Sequence, residues 1–177
     1  NDRATVDTIT AGPNGGSVVE GNNLVYTVNL SATTNAPTTL SFTLGGGTAS
    51  SADYVTPPTF SNGVTYNAAN GTITIPAGVT SFTVTVPTVD DTLVEPNETL
   101  PLNIDGVTAV GTIVDNDRAT VVTVEPGQPG PGDDSVVEGT SLVYTVTLSA
   151  TTNVPTTYTY SLGGGTASAA DYGTAVF

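Results

Sequence analysis

The stretch from Asn23 to Leu30, NLVYTVNL, carries the clearest structural signal in the chain. Every second residue from Leu24 to Leu30 is apolar, and Val25, Thr27 and Asn29 stand between them. Successive side chains of a strand point to opposite faces of a sheet, so a two-residue period indicates one buried and one solvated face. We therefore predict a β-strand whose Leu24, Tyr26 and Val28 side chains face a hydrophobic core.

The same period recurs along the first two thirds of the chain. Turn sequences such as Asn62-Gly63 and Asn70-Gly71 separate the segments that show it. Their apolar positions are Leu40, Phe42 and Leu44; Ile73 and Ile75; Phe82, Val84 and Val86; and Leu100, Leu102 and Ile104. Pro101 cannot donate a backbone hydrogen bond, so we expect its strand to be an edge strand or Pro101 to lie at an unpaired position.

The number and spacing of these segments predict the fold class. Seven or eight short strands in about 115 residues are typical of an immunoglobulin-like sandwich. Helical periodicity is absent from the sequence. We therefore predict an all-β protein with an immunoglobulin-like antiparallel β-sandwich, and a β-barrel is the weaker alternative.

The sequence of Asn23–Leu30 recurs as SLVYTVTL at Ser141–Leu148, inside a longer internal repeat. Residues 17–54 match residues 135–172 at 29 of 38 positions, and NDRATV at residues 1–6 returns at residues 116–121. An internal repeat changes the interpretation of the whole chain. We predict one complete repeat over residues 1–117 and the N-terminal half of a second, truncated repeat over residues 118–177. We expect both to belong to a longer tandem array.

The composition excludes several classes of function. The chain has 16 acidic and 2 basic residues, a formal net charge of -14, and no His or Cys. It therefore cannot form a Ser-His-Asp or Cys-His nucleophilic site, a thiolate or imidazole metal site, or a disulfide. Nucleic acid is a poor partner because a basic surface is missing. No apolar run approaches the roughly 20 residues of a bilayer span, so we expect no direct membrane insertion.

The acidic residues follow strands in a way that should gather them at one end of the sandwich. These seven are Glu20, Asp53, Asp90, Asp91, Glu95, Asp115 and Asp117. Two carboxylates about 5 Å apart repel by roughly 3 kcal/mol at an effective dielectric of about 20, so a cation between them is expected. Ca²⁺ fits best because it accepts 6 to 8 oxygen ligands in flexible geometry.

Two other interpretations of these carboxylates are open. They could be ordinary loop acids that keep a sandwich soluble. Paired carboxylates also occur in glycosidases, but the chain has no Trp, and its Tyr and Phe residues mostly occupy strand positions, so an aromatic sugar platform is missing. We therefore expect no enzymatic activity.

Five ordered motifs resemble the Calx-β domain. They are Val18-Val19-Glu20-Gly21; Gly47-Thr48-Ala49 leading to Asp53-Tyr54; residues 72–78, TITIPAG; Asp90-Asp91 leading to Glu95 and Glu98-Thr99; and residues 111–117, GTIVDND. The resemblance implies a calcium-binding sandwich with the same seven carboxylates as ligands. Asn116 departs from the acidic triplet of the family. In the second repeat Glu138 and Asp171 match the pattern, while their partner acids are missing.

Three further acids receive a different interpretation. We interpret Glu98 as a strand-start or capping residue in preference to a ligand. Asp133 and Asp134 lie in a loop that is longer in the second repeat. They could contact the Asp115–Asp117 segment, but solvated loop acids are the preferred interpretation.

Near-identical tandem sandwiches with acids at their junction are typical of the stalk of a large extracellular bacterial adhesin or surface fibre. Millimolar extracellular calcium suits weak sites with dissociation constants of about 10⁻⁴ to 10⁻³ M. Bound calcium would stiffen the joint between adjacent repeats of the chain. The alternatives are a self-assembling sheath or filament protein, which would contact neighbouring copies, and an intracellular calcium-sensor module.

Overall fold

The computed structural model describes residues 4–12, 14–127 and 135–177, and these residues contain β-strands and no α-helix. A three-residue 3₁₀ turn, Asn14–Gly16, follows the first strand. None of the described residues forms a helix of the length and hydropathy that a membrane crossing requires. The strands are β1 (Val6–Gly12), β2 (Ser17–Val19), β3 (Asn23–Leu30), β4 (Thr38–Leu44), β5 (Thr59–Phe60), β6 (Thr65–Asn67), β7 (Thr72–Ile75), β8 (Ser81–Pro87), β9 (Glu98–Ile104), β10 (Val107–Val114), β11 (Val121–Pro126) and β12 (Tyr144–Leu148).

The first ten strands form two sheets, which pack face to face in repeat 1 (residues 4–117). One sheet has the order β1-β3-β8-β5, and the other has the order β2-β10-β9-β4-β7-β6. The prediction of an all-β sandwich is confirmed, and its immunoglobulin-like type stays a prediction. A single hydrophobic core includes Leu24, Tyr26, Val28, Leu40, Phe42, Ile73, Ile75, Phe82, Val84, Val86, Leu100, Leu102 and Ile104.

The stretch that predicted the fold lies at the centre of this core. Leu24, Tyr26 and Val28 of β3 have no exposed surface, and Tyr26 pairs with Val84 of β8. The Tyr26 hydroxyl donates a hydrogen bond to the carbonyl oxygen of Leu100 in the opposite sheet. A buried hydroxyl is costly unless it is paired, so this bond lets a Tyr occupy the core and joins the two sheets.

Two details of the sheets differ from expectation. The short strand β2 pairs with β10 in parallel, whereas we predicted only antiparallel strands. The expectation that Pro101 lies on an edge strand is also wrong, because β9 lies between β10 and β4. The alternative, an unpaired position, fits on the β4 side only, because Pro101 is in register with Val110 of β10 on the other side. The pairing of β4 with β9 ends at Leu44 opposite Leu102, and Pro101 next to it only accepts a hydrogen bond, from the Gly45 N–H at 2.9 Å.

Repeat 2 (residues 118–177) contains one two-stranded sheet, β11-β12, among its described residues. Its β12 repeats the sequence of β3 but not its burial: Tyr144 is 45% exposed, whereas its counterpart Tyr26 is 0% exposed. In repeat 1, strands β8, β9 and β10 cover Tyr26. Among the residues that the structure describes, repeat 2 has no equivalent strands to cover Tyr144. Identical side chains are therefore core in one repeat and surface in the other.

Candidate metal centre

The parallel pairing of β2 and β10 places two carboxylates side by side. Ser17–Val19 runs alongside Thr112–Val114, so Glu20 and Asp115 follow their strands at the same end of the sheet. The backbone N–H of Glu20 donates to the carbonyl oxygen of Val114 at 3.0 Å, which continues the ladder by one step. Asp117 completes a group in which one carboxylate oxygen from each of the three residues lies within 4.8 Å of the others. We call Glu20, Asp115 and Asp117 triad 1.

A second group of three carboxylates lies at the same end of the sandwich. Oxygens of Asp53, Glu95 and Glu98 lie within 4.8 Å of one another, and we call these residues triad 2. Glu98 begins β9 opposite Ile113 of β10, which brings it close to the end of β10, where Asp115 follows. The strand-start position of Glu98 is as expected, and Glu98 also lies in a carboxylate cluster, a ligand position that we expected less than the strand-start role.

A small cavity connects the two triads. It has a volume of about 10 Å³, which is close to the space that one water-sized particle requires. Glu20 and Asp115 of triad 1 line it together with Asp53, Glu95 and Glu98 of triad 2; Pro96 and Ile113 complete the wall. Five carboxylates from four separate chain segments thus face one cavity.

Asn116 forms hydrogen bonds with two of the acidic side chains. Its backbone N–H donates to Oε1 of Glu20, and its side-chain amide donates to Oδ1 of Asp90, each at 3.0 Å. Gly21 allows Asp90 to approach, because a Cβ at Gly21 would lie 2.9 Å from Cβ of Asp90 and the residue has a φ of +75°. Asn116 therefore links Glu20, through its backbone N–H, to Asp90, through its side-chain amide.

The pKa values show how strongly these groups resist ionisation together. Burial, followed by the charge of Asp53, raises the pKa of Glu98 to about 7. Burial also raises the pKa of Glu20, with the charges of Asp115 and Asp117 adding to the effect, while the hydrogen bond from Asn116 opposes it. Burial and the charge of Asp115 raise the pKa of Asp117 in the same way. The arrangement favours a positive charge, either a proton or a metal ion, between the carboxylates.

Two carboxylate oxygens in triad 1 have no hydrogen-bond partner among the residues that the structure describes. Oδ1 of Asp115 and Oδ2 of Asp117 are both inaccessible and unpaired among the described residues. Buried polar atoms are nearly always satisfied, because an unpaired one costs about 1–3 kcal/mol and more when it is charged. Arg118 is the only Lys or Arg among the residues that the structure describes, and it is exposed. These oxygens are suited to a metal ligand role.

The donor set fits a hard divalent cation. All of its charged groups are carboxylates, and together the triads offer six residues with up to two oxygens each. Ca²⁺ takes 6 to 8 such oxygens at about 2.3–2.6 Å and tolerates bidentate carboxylates, whereas Mg²⁺ requires a stricter octahedron. Of the seven expected carboxylates, the structure brings Glu20, Asp53, Glu95, Asp115 and Asp117 into the two triads.

The remaining acids that we singled out lie in different places. Asp90 contacts the centre through Asn116, and the exposed Asp91 accepts a hydrogen bond from the Leu93 N–H at 2.6 Å. In repeat 2, Glu138 is exposed and belongs to neither triad. The N–H and hydroxyl of Ser168 each donate to Asp171 at 2.7 Å, which lowers the pKa of Asp171. Asp133 and Asp134 lie outside the described residues.

Comparison with known proteins gives distant structural matches. No protein-family model matches the chain, and no curated protein does. Among solved structures, domains 4 and 5 of the S-layer protein SbsC match with a TM-score of 0.36 and 18% identity over 64% of this chain and 53% of that one. A structure of domains 4–9 of surface layer protein SbsC matches with a TM-score of 0.36 and 17% identity over 86% of this chain and 22% of that one. The chain thus spans about half the length of the first of these structures.

Proposed function

We propose that this chain is a calcium-binding, non-catalytic structural repeat of an extracellular surface protein, in which calcium stiffens the joint between successive sandwiches. The observation that carries the proposal is that five carboxylates of triads 1 and 2 face one cavity at the end of repeat 1 where repeat 2 begins. The unpaired oxygens of Asp115 and Asp117 support it, because they lie in the segment that leads into repeat 2. The Calx-β resemblance of the motifs points to the same ion.

The proposed role of calcium is mechanical. Asp115 follows β10 directly and β11 begins at Val121, so few residues separate the two repeats. An ion held by Asp115 and Asp117 would fix the first of these residues. Without a cation, the mutual repulsion of the carboxylates would favour their separation. We propose an adhesin stalk or surface fibre as the setting, where millimolar extracellular calcium would occupy a weak site with a dissociation constant of about 10⁻⁴ to 10⁻³ M.

Thermal unfolding of the full chain tests the calcium site. A ligand that binds only the folded state adds about 2.7 kcal/mol of stability at a concentration one hundred times its dissociation constant. We expect millimolar calcium to raise the Tm of repeat 1 relative to chelator, and magnesium to raise it less. Coincident unfolding curves in calcium and chelator would refute the site.

Self-assembly is a second candidate, and one observation favours it. The β12 side chains Tyr144 and Val146 are 45% and 53% exposed on a strand whose counterpart is buried. Exposed strands of this kind can pair with another chain. Sedimentation of the full chain separates the two proposals, because a stalk repeat should remain monomeric in calcium whereas a sheath protein should form larger assemblies.

A further inference from the structure

The segment that carries Glu95 of triad 2 is held by the second repeat. Among the described residues, the backbone of residues 90–97 makes two hydrogen bonds to other backbone groups, and both partners are in repeat 2. The Val94 N–H donates to the carbonyl oxygen of Thr151 at 3.1 Å, and the Asn153 N–H donates to the carbonyl oxygen of Val94 at 2.8 Å. Val94 therefore forms an isolated parallel bridge with Thr152 and is only 9% exposed.

The contact continues from the backbone to the carboxylate itself. The side-chain amide of Asn153 donates to Oε1 of Glu95 at 3.0 Å. Glu95 lines the cavity between the triads, so a residue of repeat 2 orients an acid of the candidate metal centre in repeat 1. A hydrogen bond from the amide leaves the other oxygen of Glu95 available to a cation and limits the rotation of the carboxylate.

We propose that Asn153 is a positioning residue for this centre, so that calcium binding and the docking of repeat 2 onto the Val94–Glu95 segment are thermodynamically coupled. This inference rests on the proposed function. Residues that orient metal ligands from outside the coordination sphere typically change metal affinity by about 10-fold to 100-fold when they are replaced. Coupling is reciprocal, so the factor by which the docked repeat strengthens calcium binding is the factor by which calcium strengthens docking.

The internal repeat supplies a matched control. Asn35 occupies the position of Asn153 in repeat 1, within the same sequence SATTN at residues 31–35. It is exposed, and its side chain makes no hydrogen bond among the residues that the structure describes. The substitutions Asn35→Ala and Asn153→Ala thus remove the same group from the same loop sequence, and only the second removes a contact with Glu95.

The test is a calcium titration of the full chain, monitored through the NMR signals of the backbone amides around the centre. We expect Asn153→Ala to weaken calcium binding by about tenfold and Asn35→Ala to leave it within about twofold of the unsubstituted chain. Equal affinities for the two variants would overturn the inference. Failure of the unsubstituted chain to bind calcium at all would instead overturn the proposed function.

Hydrogen exchange of the Val94 and Asn153 amides provides the second readout, because a role in folding alone would not make it depend on calcium. In the unsubstituted chain, calcium should slow exchange at both amides, and in Asn153→Ala this calcium-dependent slowing should shrink by the same factor as the affinity falls. Exchange that does not respond to calcium in the unsubstituted chain, while the titration shows binding, would contradict the coupling.

Discussion

Replacing Glu20 by Gln should affect the protein in opposite directions with and without calcium. Glu20 and Asp115 oxygens lie within 4.8 Å, which corresponds to a repulsion of about 3 kcal/mol at an effective dielectric of about 20. The substitution removes this repulsion but also weakens the hydrogen bond from the Asn116 N–H, which is worth about 1.5–3 kcal/mol when its acceptor is charged. In chelator we therefore expect a net stabilisation of about 1 kcal/mol, or roughly 4 °C in Tm.

In calcium, the bound ion should stabilise the Glu20→Gln variant less than it stabilises the unsubstituted chain. A tenfold increase in the dissociation constant reduces the calcium contribution from about 2.7 to about 1.4 kcal/mol when the ion was at one hundred times the original constant. Glu20→Gln should thus reduce the difference in unfolding free energy between calcium and chelator, because it raises the value in chelator and slightly lowers the value in calcium. Glu138→Gln is the control, because Glu138 has the same local sequence, VVEG, but is exposed. Calorimetry would refute the reasoning if Glu20→Gln and Glu138→Gln gave the same difference.

Three further predictions use other features of the two repeats. In chelator, the unfolding free energy of repeat 1 should increase as pH falls from about 7 to 4.5, because Glu98, whose pKa is raised to about 7 in the folded state, takes up a proton before the unfolded chain does. Denaturant titrations that show no change in unfolding free energy over this pH range would contradict this prediction. Tyr26→Ala should destabilise the protein by about 3–5 kcal/mol and Tyr144→Ala by under about 1 kcal/mol, a difference that follows from burial and is measured by chemical unfolding. Gly47→Ala should cost about 1–3 kcal/mol, because a Cβ would lie 2.1 Å from the Thr99 carbonyl oxygen, whereas Gly165→Ala meets nothing; equal Tm values would count against the packing described.

The strands were predictable because their signal is local. Leu24, Tyr26 and Val28 occupy every second position, with Val25 and Thr27 between them, and a two-residue period is a direct consequence of strand geometry. The parallel pairing of β2 was not predictable in this way. Ser17–Val19 is too short to show a period, and its partner β10 lies far along the chain. Pairing at such a distance is decided by the packing of the whole domain.

The candidate site was predictable in part for the same reason. Acids that follow strands were expected at one end of the sandwich, and the structure gathers Glu20, Asp115 and Asp117 there. Glu98 was interpreted as a strand-start residue in preference to a ligand, because a Glu before an alternating run is common at the start of a strand. The contact between Asn153 and Glu95 gives no sequence signal, since it depends on two loops of different repeats meeting in space. The spacing of carboxylates along a chain limits where a site can form, but loop conformation decides which of them take part.

The central claim is that calcium at the end of repeat 1 stiffens the joint with repeat 2, and a distance measurement between the repeats tests it directly. The chain has no Cys, so Ala68→Cys and Thr166→Cys, both at exposed positions, can carry spin labels without competing thiols. We predict a narrow distance distribution in millimolar calcium and a broader one in chelator. The strand content of both repeats should be the same in the two conditions. A distribution of the same width in both conditions, under calcium concentrations that saturate the site, would contradict the account.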